Sequence, residues 1–111
     1  MKSSASQIYN AIAGFTDVVE LSISRQSETG GYDVALVLTD PDRSAVRLEC
    51  VDVSNLALTH FGGGLTQFLC LRAEDVGAAQ LDRVALRFAD LERGAIAFDC
   101  SSATAQQTRI V

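Results

Sequence analysis

Residues 34–50 read VALVLTDPDRSAVRLEC, and residues 84–100 read VALRFADLERGAIAFDC. Aligned without gaps, seven of the seventeen positions are identical and five more are conservative replacements. Unrelated stretches of average composition would share about one identity. In the first stretch Val34, Leu36 and Leu38 alternate with other residues, a polar cluster interrupts them, and Val46, Leu48 and Cys50 resume the alternation. A period of two on either side of a turn marks a β-hairpin with one buried face. Pro41 presets φ at the second turn position, and the Asp40 carboxylate is placed to accept from backbone N–H groups of the turn. In the second stretch Val84, Leu86 and Phe88 go out, Asp90 leads the turn, and Ile96, Phe98 and Cys100 return. Gly94 stands where Ser44 does, and glycine suits a last turn residue at positive φ. The expected fold is therefore mainly β: an antiparallel sandwich or strongly curved sheet of about seven strands, built from two similar strand–loop–hairpin units.

Working outward, residues 4–14 read as a short helix laid on the sheet. Ser4 and Gln7 have the spacing of a capping box, and Ile8, Ala11, Ile12 and Phe15 recur at helical intervals. Gly14 is placed to end it in a left-handed conformation. Unit one covers residues 17–51. Its first strand alternates, with Val19, Leu21 and Ile23 expected on one face and Glu20, Ser22 and Ser24 on the other. A connecting segment, 52–66, carries a short strand over 56–61 and a Gly62-Gly63-Gly64 turn. Unit two covers residues 67–100, and the apolar run 68–71 reads as a central strand covered on both sides. The tail, 101–111, is small and polar and is expected to be loose, with Arg109, Ile110 and Val111 as a candidate edge strand.

A chain of 111 residues is one domain and can fold on a hydrophobic core. Apolar residues make up 48% and charged ones 21%, against about 25% charged in an ordinary soluble domain. That excess of apolar surface leads us to expect a homodimer. The net charge of −5 argues against nucleic acid and against an anionic membrane surface, and is compatible with a basic protein partner. There is no secretory leader pattern and no apolar window of about 18 residues. Three cysteines, Cys50, Cys70 and Cys100, form an odd set without a CxxC pair, which favours a reducing, cytoplasmic setting over a disulfide framework.

Four groups of residues are candidates for chemistry. Gly62, Gly63 and Gly64 could offer N–H groups to an anion, but they run into a strand-like segment without a lysine, so a turn or bulge is the better reading. His60, the only histidine, sits beside Thr59 and Phe61 at a strand end; catalysis would need a nucleophile or carboxylate brought close by the fold, and a partly exposed structural histidine is the better reading. The three cysteines and His60 match no compact zinc spacing, and Cys50 and Cys100 fall on the apolar faces of their strands. Asp40, Asp42, Asp90 and Glu92 would form a calcium site only if both hairpin tips met, and Arg43 and Arg93 stand ready to neutralise them. No catalytic residue, metal site or cofactor is therefore assigned. If the chain has a ligand or partner site readable from its sequence, the candidate is His60, Phe61, Gly62, Gly63 and Gly64.

The second half, FGGGLTQ at 61–67 followed by DLERGAIAF at 90–98, resembles a loose group of short bacterial proteins, some of them antitoxin- or immunity-like. That resemblance transfers no catalytic residues. It implies a non-enzymatic module that binds another protein, such as an immunity or inhibitor protein facing a basic toxin. The alternatives are a small-ligand or enzymatic domain using the His60–Gly64 turn and a self-associating structural domain.

Overall fold

The computed structural model describes the chain except residues 1–3, 27, 29, 60–65, 68–70, 76–85, 91–94 and 109–111. It opens with α1 (Ala5–Ile12). The capping box forms as the spacing requires: the Gln7 N–H donates to Ser4 Oγ at 3.3 Å, and the Ser4 N–H donates to Gln7 Oε1 at 2.9 Å. Ala5, Ile8 and Ile12 make the buried face, while Ala11, expected there, is exposed. Gly14 takes φ +88° just past the helix.

The strands are β1 (Asp17–Arg25), β2 (Tyr32–Thr39), β3 (Ala45–Leu58), β4 (Thr66–Gln67), β5 (Leu71–Asp75), β6 (Leu86–Asp90), β7 (Ile96–Cys100) and β8 (Ser102–Thr108). All described pairings are antiparallel, in the order β4-β1-β2-β3-β7-β6-β5, with β8 also on β3. β7 and β8 are separated by Ser101 alone and run along β3 as one line, so the sheet has seven lanes. The molecule is thus two three-stranded meanders, β1-β2-β3 and β5-β6-β7, joined through their third strands. The mainly β architecture with an N-terminal helix is as expected.

One apolar cluster fills the inside. Val34, Leu36, Leu38, Val46 and Leu48 come from the first meander, and Leu86, Phe88, Ile96 and Phe98 from the second. Ile8 and Ile12 of the helix complete it. The helix packs against β5, β8 and β3. Its first N–H reaches the second meander, where Ala5 N–H donates to Asp75 Oδ1 at 3.2 Å. The Arg72 guanidinium lies over the Tyr9 ring, 5.3 Å from its centre.

Several details correct the sequence reading. In β1 the register slips between Val18 and Glu20, so Val19 is a bulge residue, half exposed, and Val18 rather than Val19 shares the core face with Leu21. Of the strand expected over 56–61, residues 56–58 are the far end of the 14-residue β3, while 60 and 61 lie outside the described residues. The segment read as a central strand is not central where it is described. Leu71 begins β5 at one end of the sheet and Gln67 ends β4 at the other, while 68–70 lie outside the described residues. β5 buries Leu71 and exposes Arg72, Glu74 and Asp75, the charged face of an edge strand. The tail is not loose, because Ser102 to Thr108 pair with Ala45 to Val51 along an otherwise open edge of β3. Its small inward residues, Ala103 and Ala105, leave room for the helix.

The two hairpins differ in register. In the first, Leu38 faces Val46 and Leu36 faces Leu48; in the second, Phe88 faces Phe98 and Leu86 faces Cys100. Relative to the matched residues, the second hairpin is displaced by two positions. An even displacement keeps every side chain on its own face. It brings Phe88 and Phe98 directly opposite each other, stacked at 5.1 Å with 19° between the rings.

The first turn forms as read. Asp40 Oδ1 accepts from the N–H groups of Asp42 at 3.0 Å and Ser44 at 2.8 Å. The positive φ falls on Arg43, at +66°, one residue earlier than the glycine substitution at Gly94 implied. Gly94 lies outside the described residues.

Candidate functional site

The site is built where β3 bends. Between Tyr32 and Val34 the partner positions on β3 move from Val53 to Cys50, and between Ser54 and Ala57 those on β7 move from Asp99 to Ala97. In both cases β3 carries the extra residue. Two bulges in one short stretch bend and twist the strand. Asp52 and Asn55 absorb the bend with φ of +57° and +56°. Asp and Asn enter the left-handed region at less cost than other non-glycine residues. The sequence signal is the interruption Asp52-Val53-Ser54-Asn55 between apolar runs, in the segment expected to be a connector.

Side chains from neighbouring strands hold the bent backbone. The Asp52 N–H donates to Asp33 Oδ1 at 3.0 Å, and the other oxygen of Asp33 accepts from Gln26 Nε2. Asn55 Nδ2 donates to Asp99 Oδ2 at 3.0 Å, and Arg87 Nε donates to Asp99 Oδ1 at 2.8 Å. The Arg87 hydrogen bond holds the Asp99 carboxyl below its ordinary range, with the Asn55 bond adding to it and burial opposing both. Ser101 N–H and Oγ–H both donate to the Val51 carbonyl, at 2.9 and 3.1 Å. Strained backbone held by surrounding structure concentrates at functional positions.

Beside the bend lies an apolar groove of about 390 Å³ lined by Ile23, Tyr32, Val34, Val53, Ser54, Asn55 and Leu56. Val34 is its buried floor, and Ile23 and Tyr32, 47% and 50% exposed, form the rim. Large apolar side chains exposed around a hollow are what a protein partner's anchor residue needs. The other face of β1, β2 and β3 offers a contrast. A polar hollow there is lined by Ser22, Ser24, Arg47 and Glu49, and Arg47 pairs with Glu49 at 3.0 Å and Glu20 at 3.5 Å. There the Arg47 guanidinium is shared by two carboxylates.

His60, Phe61, Gly62, Gly63 and Gly64 lie outside the described residues, as does Cys70. Cys50 and Cys100 are buried in the core, the role expected of them. The premise of the calcium idea fails. The first hairpin turn leads into Ala45 at one end of β3, whereas Ile96, which follows the second, pairs with Leu58 at the other end, so the described flanks of the two turns lie apart; residues 91–94 lie outside the described residues. Asp90 is 3% exposed and accepts from the Ala95 N–H at 3.3 Å. Among the described residues no three His, Cys, Asp or Glu side chains converge as a metal site. No helix among them is long and apolar enough to cross a membrane.

A family model described as Immunity protein PIM8 matches residues 1–106. No curated protein and no solved structure matches the chain.

Proposed function

The chain belongs to the PIM8 family of immunity proteins, and from that membership we propose that it neutralises a toxic protein by binding it, without catalysis. The family match over nearly the whole chain is the observation that supports this most. The net charge of −5 favours a basic partner, toward which an acidic surface steers association. The apolar groove at the bend of β3 is the contact surface we assign, with Tyr32 and Ile23 as anchors. The odd count of three cysteines without a CxxC pair favours action in the cytoplasm.

The test is capture of partners from source-cell lysate on the immobilised protein at about 0.05 M and about 0.5 M salt, where screening differs severalfold. One basic protein, retained near equimolar amount at low salt and released by high salt, is the expected result. Tyr32→Ala should weaken that complex by about 30-fold, the cost of losing an anchor worth roughly 2 kcal/mol. A homodimer is the competing use of the same exposed Ile23 and Tyr32. It would appear as a doubled mass in light scattering that Ile23→Asp returns to one chain, and no basic partner would be recovered.

A further inference from the structure

β1 lies next to the outermost lane of the sheet, and among the described residues that lane is short. Its occupant, β4, pairs only with Asp17 and Val18 of the nine-residue β1. β3, by contrast, is lined along nearly its whole second side by β7 and β8. The ladder between β1 and β2 is regular from Glu20 to Arg25. The Gln26 N–H carries it one pair further by donating to the Gly31 carbonyl at 2.7 Å. Antiparallel pairs alternate between hydrogen-bonded and non-bonded. Counted back from Gln26, Ser24, Ser22 and Glu20 turn their main-chain groups to β2, while Arg25, Ile23 and Leu21 turn theirs to the outer edge. No described residue pairs with those three there.

Open edge strands are commonly guarded by lysine, proline or a bulge. Here the bulge at Val19 and the Glu20 carboxylate stand at the β4 end, and Leu21-Ser22-Ile23-Ser24 carries neither charge nor proline. The two faces of that segment differ. Ile23 is exposed at the rim of the apolar groove, whereas Ser22 and Ser24 line the polar hollow. On the polar side Arg47 meets both Glu20 and Glu49, two carboxylates to one guanidinium, so that trio keeps a net negative charge. We infer that an extended segment of the toxic partner adds to β1 as an antiparallel strand along residues 21–25, with apolar residues on the groove side and a basic residue facing Glu20. This rests on the neutralisation reading and states how the groove is approached. Main-chain hydrogen bonds to Leu21, Ile23 and Arg25 hold the segment, and its alternate side chains pack against Ile23 at the groove rim.

The probe is a labelled synthetic peptide of alternating valine and lysine, titrated with the full chain by fluorescence anisotropy. Two derivatives carry the same charge, one N-methylated on its valines and the other on its lysines. With valine on the groove side, the valines lie opposite Leu21, Ile23 and Arg25 and spend their N–H groups on β1, whereas the lysine N–H groups face water. The parent and the N-methyllysine peptide are expected to bind within about threefold of each other. The N-methylvaline peptide is expected to bind about tenfold more weakly, for the loss of two or more main-chain bonds. In the protein, Arg25→Pro removes one outward N–H and leaves the bonds to β2, so it should weaken the parent peptide severalfold more than Arg25→Ala does. No binding of the parent peptide, or equal binding of the two derivatives, would overturn the added strand. Equal binding of the derivatives together with a loss in Ile23→Ala would leave the groove a site for side chains alone. A doubled mass of the protein by itself in light scattering, returned to one chain by Arg25→Pro, would give the edge to a second copy and also overturn the inference. The lysate capture reads the neutralised partner without any peptide, so the two proposals can fail separately.

Discussion

The β2–β3 and β6–β7 hairpins begin from nearly the same sequence and solve different problems. In the first, a five-residue turn is tied by Asp40, and the strands pair aliphatic against aliphatic. In the second, the pairing moves by two residues, Phe88 stacks on Phe98, and the matched aspartate, Asp90, is buried. Glu49 and Asp99 are matched as well. Glu49 is half exposed in a surface pair with Arg47, while Asp99 is 8% exposed at the side chain and braces the bend through Asn55. The difference teaches that an alternating pattern specifies faces but not registers. Any even displacement preserves the faces, and the choice among them falls to particular pairs such as two phenylalanines.

The largest expected effects lie in the core, where the comparison can be broken outright. Phe88→Ala should cost about 4 kcal/mol and the matched Leu38→Ala about 3 kcal/mol, measured by urea unfolding at constant slope. Equal losses would deny the aromatic pair its special weight. The aspartates come next. Asp90→Ala leaves a buried N–H without its partner and should cost about 2 kcal/mol. Asp40→Ala, at an exposed tip, should cost about 1 kcal/mol. The reverse order would mean that the two turns are alike after all. The smallest effect concerns Asp99. Its carboxyl titrates below the ordinary range when folded, so its contribution is present above the unfolded value near pH 4 and is lost as the pH falls through the folded one. Arg87→Gln should therefore flatten the decline of Tm in acid. An unchanged acid limb would show that the Arg87–Asp99 bond does not form in solution.

Much of the fold was legible because its signals are local. The Ser4–Gln7 capping box, the Asp40 turn and the alternation of Val34, Leu36 and Leu38 each depend on a few neighbours. What was missed depends on distant parts of the chain. Nothing near Val19 announces a bulge, yet one residue of slip there exchanges which valine faces the core. The tail looks loose by composition, and its order comes from the open edge of β3 that it completes. The groove was invisible for the same reason, since Ile23, Tyr32 and Val53 become neighbours only through strand pairing and the bend. Its one local trace is the Asp and Asn at positions 52 and 55, residue types that tolerate left-handed backbone.

The most direct measurement is hydrogen–deuterium exchange on the protein with and without the partner recovered from lysate. The account predicts added protection in peptides covering residues 19–25, 32–34 and 52–56, with the face carrying Arg47 and Glu49 unchanged. Protection confined to that polar face, or to the 60–64 segment, would contradict the assignment of the groove at the bend as the binding surface.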